Sequence, residues 1–166
     1  LERYSREDAK AMFKTYVDFN ETIHDQYVKA FPGAKECLEG LKSAGCRIAL
    51  VTSKRRGLAE HGLELFDLLK YFDVIVGLED TAKHKPHPEP ILLAMEKLGC
   101  LEQKDSTVMI GDSKFDILSA EGAGIRSVLV NWSKAQEAQG ENAWKPDFVI
   151  EDLLSILSIV NGEKNV

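Results

Sequence analysis

Short apolar runs alternate with amphipathic segments from residue 35 onward. The runs are RIALVTS (Arg47 to Ser53), FDVIVGLE (Phe72 to Glu79), STVMIGD (Ser106 to Asp112) and RSVLVNW (Arg126 to Trp132), with a weaker DFVI (Asp147 to Ile150). They are apolar at nearly every position, which predicts strands buried on both faces. Between them lie AKECLEGLKSAG, RRGLAEHGLELFDLL, PEPILLAMEKLG and DILSAEGAG, whose apolar residues recur at helical spacing. Gly45, Gly99 and Gly124 stand where these helices are expected to stop. Strands alternating with helices predict an α/β fold, a doubly wound parallel sheet with right-handed crossovers.

Residues 1–31 break that rhythm. The stretch SREDAKAMFKTYVDFNETIHDQYVKAF contains no strand-like run and predicts one or two amphipathic helices. Phe31-Pro32-Gly33 interrupts it, so the expected organisation is a helical piece over 1–31 and an α/β part over 32–166. The run LLSILSIV (Leu153 to Val160) is too short to cross a bilayer and reads as the buried face of a last helix. SKAQEAQGENAWKP (Ser133 to Pro146) reads as a polar surface excursion.

Composition narrows the function classes. The chain has 166 residues, 44% hydrophobic and 29% charged, with a net charge of −6. That balance excludes collagen-like, low-complexity and membrane-spanning readings, and it disfavours a nucleic acid or an anionic membrane surface as partner, since both demand a basic field. A cytoplasmic protein is the expectation. The three cysteines, Cys37, Cys46 and Cys100, have no C-x-x-C spacing and read as buried reduced thiols.

In open α/β sheets ligands bind beyond the carboxyl ends of the strands. Three runs end in chemically useful groups: Thr52-Ser53-Lys54, then Glu79-Asp80 leading into the loop Ala82-Lys83-His84-Lys85-Pro86-His87-Pro88, then Gly111-Asp112-Ser113-Lys114-Phe115-Asp116. Gly111 allows a sharp turn, after which Asp112 and Asp116 share one face of a first helical turn and suit a hard divalent cation. The same pair also suits a structural use, with Asp112 capping the helix and Asp116 solvated. Thr52 and Ser53 offer hydroxyls and free N–H groups at a helix start, or simply a cap. Lys85, confined among prolines rather than free on a helix surface, suits an ammonium aimed at an anion, or by itself simply a solvated charge. His84 and His87 lack a third ligand nearby and read as surface residues. Asn20 and His24 share a helix face in the N-terminal piece and read, on spacing alone, as polar surface. Taken together, hydroxyl, lysine and paired carboxylates at neighbouring strand ends spell a site for phosphate plus magnesium.

The order VTSK, then K-P-H-P-E-P, then MIGDSKFD closely resembles the haloacid dehalogenase superfamily of phosphohydrolases, over Phe31 to about Ile159, and within it the phosphoglycolate phosphatase and inorganic pyrophosphatase branch. The resemblance implies a Mg²⁺-dependent enzyme acting on a small phosphorylated substrate or pyrophosphate. It assigns Thr52, with Ser53 beside it, to the transferring phosphoryl group, Lys85 to charge neutralisation, and Asp112 with its supporting partner Asp116 to the metal. It makes the helices before Phe31 the end of a cap, from which Asn20 and His24 face the substrate. The family's catalytic strand carries D-x-D-x-[TV], its first Asp being the nucleophile that becomes an aspartyl phosphate and its second the general acid/base. No D-x-D-x-[TV] occurs in residues 1–166.

By analogy that strand is central, lying between the runs that end at Ser53 and Asp112, so the sheet is expected to be gapped or re-paired. With Leu1 in place of an initiating Met, the expectation is that these residues belong to a longer enzyme and do not turn substrate over by themselves. The alternative is a non-catalytic remnant that binds phosphate and Mg²⁺ as a sensor or interaction module. A receiver-like or flavodoxin-like module lacks support, because the acidic pair sits at the wrong strand end for the first and no flavin phosphate loop is present for the second.

Overall fold

The structure is a computed structural model that describes residues 5–132 and 144–162, apart from the side chains of residues 6, 13 and 16–24. Most of the polar stretch after Trp132 therefore lies outside the described residues. The chain divides into two units, Leu1–Ala30 and Phe31–Val166. The first contains one helix, α1 (Arg6–Tyr27). Its start is a capping box: Ser5 Oγ accepts the Asp8 N–H at 3.1 Å, and Asp8 accepts the Ser5 N–H at 2.8 Å.

The second unit runs α2 (Ala34–Ser43), β1 (Ala49–Val51), α3 (Arg56–Glu64), β2 (Val74–Val76), α4 (Glu89–Lys97), β3 (Val108–Gly111), α5 (Lys114–Ala123), β4 (Arg126–Val130), β5 (Phe148–Ile150) and α6 (Ser155–Val160). Gly45, Gly99 and Gly124 adopt φ of 78°, 67° and 73°, the left-handed conformation that ends a helix and turns the chain toward the next strand. Every ladder is parallel, with Ala49 opposite Val74, Val108 opposite Arg126, and Val128 opposite Phe148.

The strands form two half-sheets, β1-β2 and β3-β4-β5, and among the described residues no ladder joins β1 to β3. Two apolar layers nevertheless span the break. On one face Cys37 and Leu41 of α2 and Ile156 and Ile159 of α6 pack on Val128, Val130 and Ile150, and Ile48, Val108 and Ile110 join them. On the other, Ile91 and Met95 of α4 and Ala120 and Ala123 of α5 form a cluster with Val51 and Met109 against it. Val108 and Ile110 face one layer while Met109 faces the other, as strand alternation requires.

Burial departs from the expectation of strands covered on both faces. Strand β4 is buried from Ser127 to Val130, whereas β1 and β3 are half-buried throughout. The reason is a cavity of about 490 Å³ between them, lined by residues that include Ile48, Leu50, Val51, Val108, Met109 and Ile110. The sheet is gapped, not re-paired. Cys37 and Cys100 are buried and Cys46 is half-buried, all three as free thiols. Burial pushes the Cys37 thiol up to about 11.

A strand paired on one side leaves alternate amides without a ladder partner. In hydrogen exchange the amides of β4, which lies between two partners, are expected to be the slowest of the sheet. Amides of β1 and β3 that face the cavity should exchange at least about tenfold faster. Equal protection across β1, β3 and β4 would contradict the split sheet.

Candidate active site

Because all strands are parallel, the residues that follow them gather at one edge. Thr52 and Ser53 leave β1, Asp112 leaves β3, and Asp116 stands in the first turn of α5. Lys85 comes from the connection between β2 and α4. Its ammonium donates to the Val51 carbonyl at 3.1 Å and to Asp116 Oδ1 at 2.6 Å. The side chains are 14% and 6% exposed, so this ion pair is largely removed from water. One lysine thus ties the end of β1 to the start of α5, across the gap in the sheet.

The loop around Lys85 is held from several sides. His87 donates its N–H to the His84 carbonyl at 2.9 Å, and Ser119, fully buried on α5, donates its hydroxyl to the His87 carbonyl at 2.9 Å. The Ala82 N–H donates to Glu89 Oε1 at 3.0 Å, and His87 Nδ1 accepts the Glu89 N–H at 3.2 Å. The Lys85-Pro86 bond is cis. Proline restriction accounts for part of the aiming of Lys85, and the buried Ser119 contact supplies another part that the local sequence did not reveal.

Asp116 is not solvated. Its Oδ2 accepts the Ser113 N–H at 3.1 Å and the Ser113 hydroxyl at 2.6 Å, so Ser113 is the N-cap of α5 and Asp116 completes the capping box. The capping use offered for Asp112 therefore falls to Ser113, a signal present in the sequence as Ser113-Lys114-Phe115-Asp116. Gly111 is required by this packing. A Cβ there would lie 2.3 Å from the Cβ of Asp116 and 2.6 Å from its Oδ2. Asp112 is exposed, and its carboxylate makes no hydrogen bond or ion pair among the described residues. Of the two acidic groups it is the one with oxygens to offer. No group of three His, Cys, Asp or Glu side chains suited to a metal occurs among the described residues.

Thr52 extends the β1-β2 ladder, donating its N–H to the Val76 carbonyl at 3.0 Å, and its Oγ1 accepts the Lys54 N–H at 3.1 Å. With that lone pair engaged, the hydroxyl proton is left to donate. The expected free helix start beyond it is only partly free. The Arg56 N–H, first in α3, is taken by both carboxylate oxygens of Glu79 at 3.2 Å each. Asp80 accepts from Arg56 Nη2 at 2.7 Å and from the Gly77 N–H at 2.6 Å. Arg56 and Ser119 carried no functional reading in the sequence, and Glu79, Asp80 and Ser113 stood there only as members of the strand-end clusters, with no role of their own. The side chains of Asn20 and His24 lie outside the described residues.

The Arg56 hydrogen bond, with help from the Gly77 N–H, holds the Asp80 carboxyl below the usual carboxylate range. Lys42, which donates to Asp73 at 2.8 Å, and the Ile48 N–H hold the Asp73 carboxyl low in the same way. A carboxyl whose folded value lies below its unfolded value of about 3.9 binds protons more weakly when folded, so its contribution is full above that pH. It is lost as pH falls through the folded value. Denaturant titrations from pH 7 down to pH 3 should therefore show declining stability, with a smaller decline in Asp80→Asn.

Breaking the Lys85–Asp116 pair leaves a largely buried ammonium without its counter-charge. Asp116→Ala is expected to cost about 3–5 kcal/mol in equilibrium unfolding. Gly111→Ala, which forces Asp116 away, should cost about 1–3 kcal/mol. A loss under about 0.5 kcal/mol for Asp116→Ala would show that the pair does not brace the fold.

The family model for haloacid dehalogenase-like hydrolases matches residues 1–130, a span that takes in α1 as well as the strand ends above. A protein of Caldanaerobacter subterraneus subsp. tengcongensis with the provisional name pyrophosphatase PpaX is 50% identical over 162 residues, which are 98% of this chain and 72% of that protein. Pyrophosphatase PpaX of Bacillus mycoides is 39% identical, over 96% of this chain and 75% of its own length. The crystal structure of a HAD phosphatase from Thermococcus onnurineus superposes with a TM-score of 0.73 at 29% identity, covering 90% of this chain and 66% of that one. Parallel half-sheets, a lysine and an acidic pair at one sheet edge, and a family match over most of the chain lead to one conclusion: this chain belongs to the haloacid dehalogenase-like hydrolases, close to the PpaX pyrophosphatases and phosphoglycolate phosphatases.

Proposed function

We propose that these residues form the phosphate- and Mg²⁺-handling part of a hydrolase acting on a small phosphate compound, pyrophosphate or a phosphoglycolate-like ester. The observation that carries this reading is Lys85, held by Val51 and Asp116 at the point where the two half-sheets meet. The Thr52 hydroxyl donates to a phosphoryl oxygen, with the N–H of Ser53 alongside. Lys85 neutralises phosphoryl charge from a fixed position, which is how electrostatic preorganisation lowers a phosphoryl-transfer barrier. The names of the similar PpaX proteins support pyrophosphate as the substrate.

The donor set fits Mg²⁺, a hard ion that takes one or two carboxylates and keeps several waters. Asp112 would hold it directly. Asp116, both of whose oxygens are engaged, would act as its support. Bound there, the ion would offset the charge of the phosphoryl oxygens.

The nucleophile belongs to a D-x-D-x-[TV] strand that residues 1–166 do not contain. The cavity between β1 and β3, open along both strand edges, supports placing it there. Its first carboxylate attacks phosphorus and displaces the leaving group, which takes a proton from the second; water then cleaves the aspartyl phosphate. Residues 1–31 are read as part of the cap, with Asn20 and His24 directed at the substrate.

Preceded by a strand bearing D-x-D-x-[TV], this protein is expected to release phosphate from pyrophosphate only with Mg²⁺ present, and Asp112→Asn to lower turnover on the order of a hundredfold or more. The 166 residues by themselves should show no turnover. Absence of Mg²⁺-dependent release from pyrophosphate and from small phosphomonoesters, in the protein with that strand, would end the enzyme reading. It would favour instead a non-catalytic module that binds phosphate and Mg²⁺, a reading that the missing motif itself recommends.

A further inference from the structure

The segment from Thr52 to Arg55 is short and mostly exposed, and its one internal bond runs from the Lys54 N–H to Thr52 Oγ1. A loop with so little of its own structure does not hold a hydroxyl and neighbouring amides in one arrangement. Its order comes from the next strand end. The Leu78 N–H donates to the Lys54 carbonyl at 2.9 Å. Two residues on, the Arg56 N–H is shared between the Glu79 oxygens at 3.2 Å each, and the Arg56 guanidinium reaches Asp80 at 2.7 Å. Asp80 is pinned in turn by the Gly77 N–H at 2.6 Å. The two loops lie so close that a Cβ on Gly77 would stand 2.6 Å from the Arg56 nitrogen.

Two carboxylates are a poor choice beside a loop that binds phosphate, because like charges repel through any dielectric. Their presence makes sense if holding the loop outweighs that repulsion. We propose that Arg56, Glu79 and Asp80 are positioning residues, which fix Thr52, Ser53 and Lys54 in the arrangement that receives phosphoryl oxygens. The proposal rests on the reading of Thr52 and Ser53 given above. Glu79 holds the first amide of α3, Asp80 holds the Arg56 side chain, and both belong to the connection after β2, so the loop after β1 is shaped by its neighbour strand.

The sign of one substitution separates positioning from simple charge. If Glu79 acted on phosphate by charge alone, Glu79→Gln would tighten binding. Positioning requires the reverse, since the amide side chain is a weaker acceptor for the Arg56 N–H. The test titrates the 166-residue chain with inorganic phosphate and follows the backbone amide resonances of Thr52, Ser53 and Lys54. Binding by Glu79→Gln is expected to weaken by about fivefold, with the resonances of β5 and α6 unmoved. Glu79 is exposed, so this variant is expected to fold; Asp80→Asn should shift the same amides and weaken binding in the same direction. Phosphate binding by Glu79→Gln that equals or exceeds that of the parent overturns the positioning role and leaves the phosphate reading standing. Failure of the parent chain to shift at Thr52, Ser53 and Lys54 at any phosphate concentration removes the phosphate reading, and the proposal with it.

Discussion

The ion pair between Lys85 and Asp116 holds together what the backbone leaves apart. Strands β1 and β3 share no ladder, so the two half-sheets need another link at the edge where the chemistry gathers. Lys85 supplies it by reaching the Val51 carbonyl on one side and Asp116 on the other. Much else follows from that contact. Asp116 must sit against the end of β3, so Gly111 can carry no side chain. Ser113 must cap α5 with Asp116 as its reciprocal partner, which fixes the carboxylate against rotation. Ser119 must hold the His87 carbonyl, so that the loop bearing Lys85 does not swing away.

On the two faces of the sheet the link is apolar. Helices α2 and α6 cover one face of both half-sheets, and α4 and α5 the other. Ile48 and Val108 come from different half-sheets yet pack in one cluster, as Val51 and Met109 do in the other. Burial of apolar area contributes roughly 25 cal/mol per Å² regardless of which strand supplies it, so helices can hold a sheet whose middle is open. The open middle leaves β1 and β3 half-buried, with no ladder between them among the described residues.

The features legible in the sequence were those that local pattern controls. Apolar runs located all five strands, and Gly45, Gly99 and Gly124 marked helix ends because a left-handed residue is needed there. Lys85 and Asp116 were legible as candidates, since prolines and a G-D-x-x-x-D spacing are local signals. Their pairing was not, because it joins residues 31 apart through a fold. Asp112 alone was offered as the cap; the S-x-x-D spacing beginning at Ser113 is the local signal that was passed over, and the geometry follows that spacing. The covered strands expected for β1 and β3 failed for a non-local reason, the cavity between them. Glu79 and Asp80 were legible as members of a strand-end cluster, but their contacts with Arg56 were not, because only the approach of the loops after β1 and β2 creates them.

Holding a buried ammonium with the protein's own carboxylate does not exhaust its donors before an anion arrives. An ammonium has three N–H donors, and Lys85 directs one to Val51 and one to Asp116. The third has no acceptor among the described residues, and in the proposed function it is the donor for an incoming oxygen. Aspartate at 116 offsets the cost of desolvating the lysine, and the Ser113 N–H and hydroxyl draw part of that carboxylate's charge toward α5. The result is a cation that stays in place at low dielectric with one direction of binding open. A solvated lysine would have to be ordered each time an anion bound, and water would compete for all three donors. At this sheet edge the ordering is done by folding.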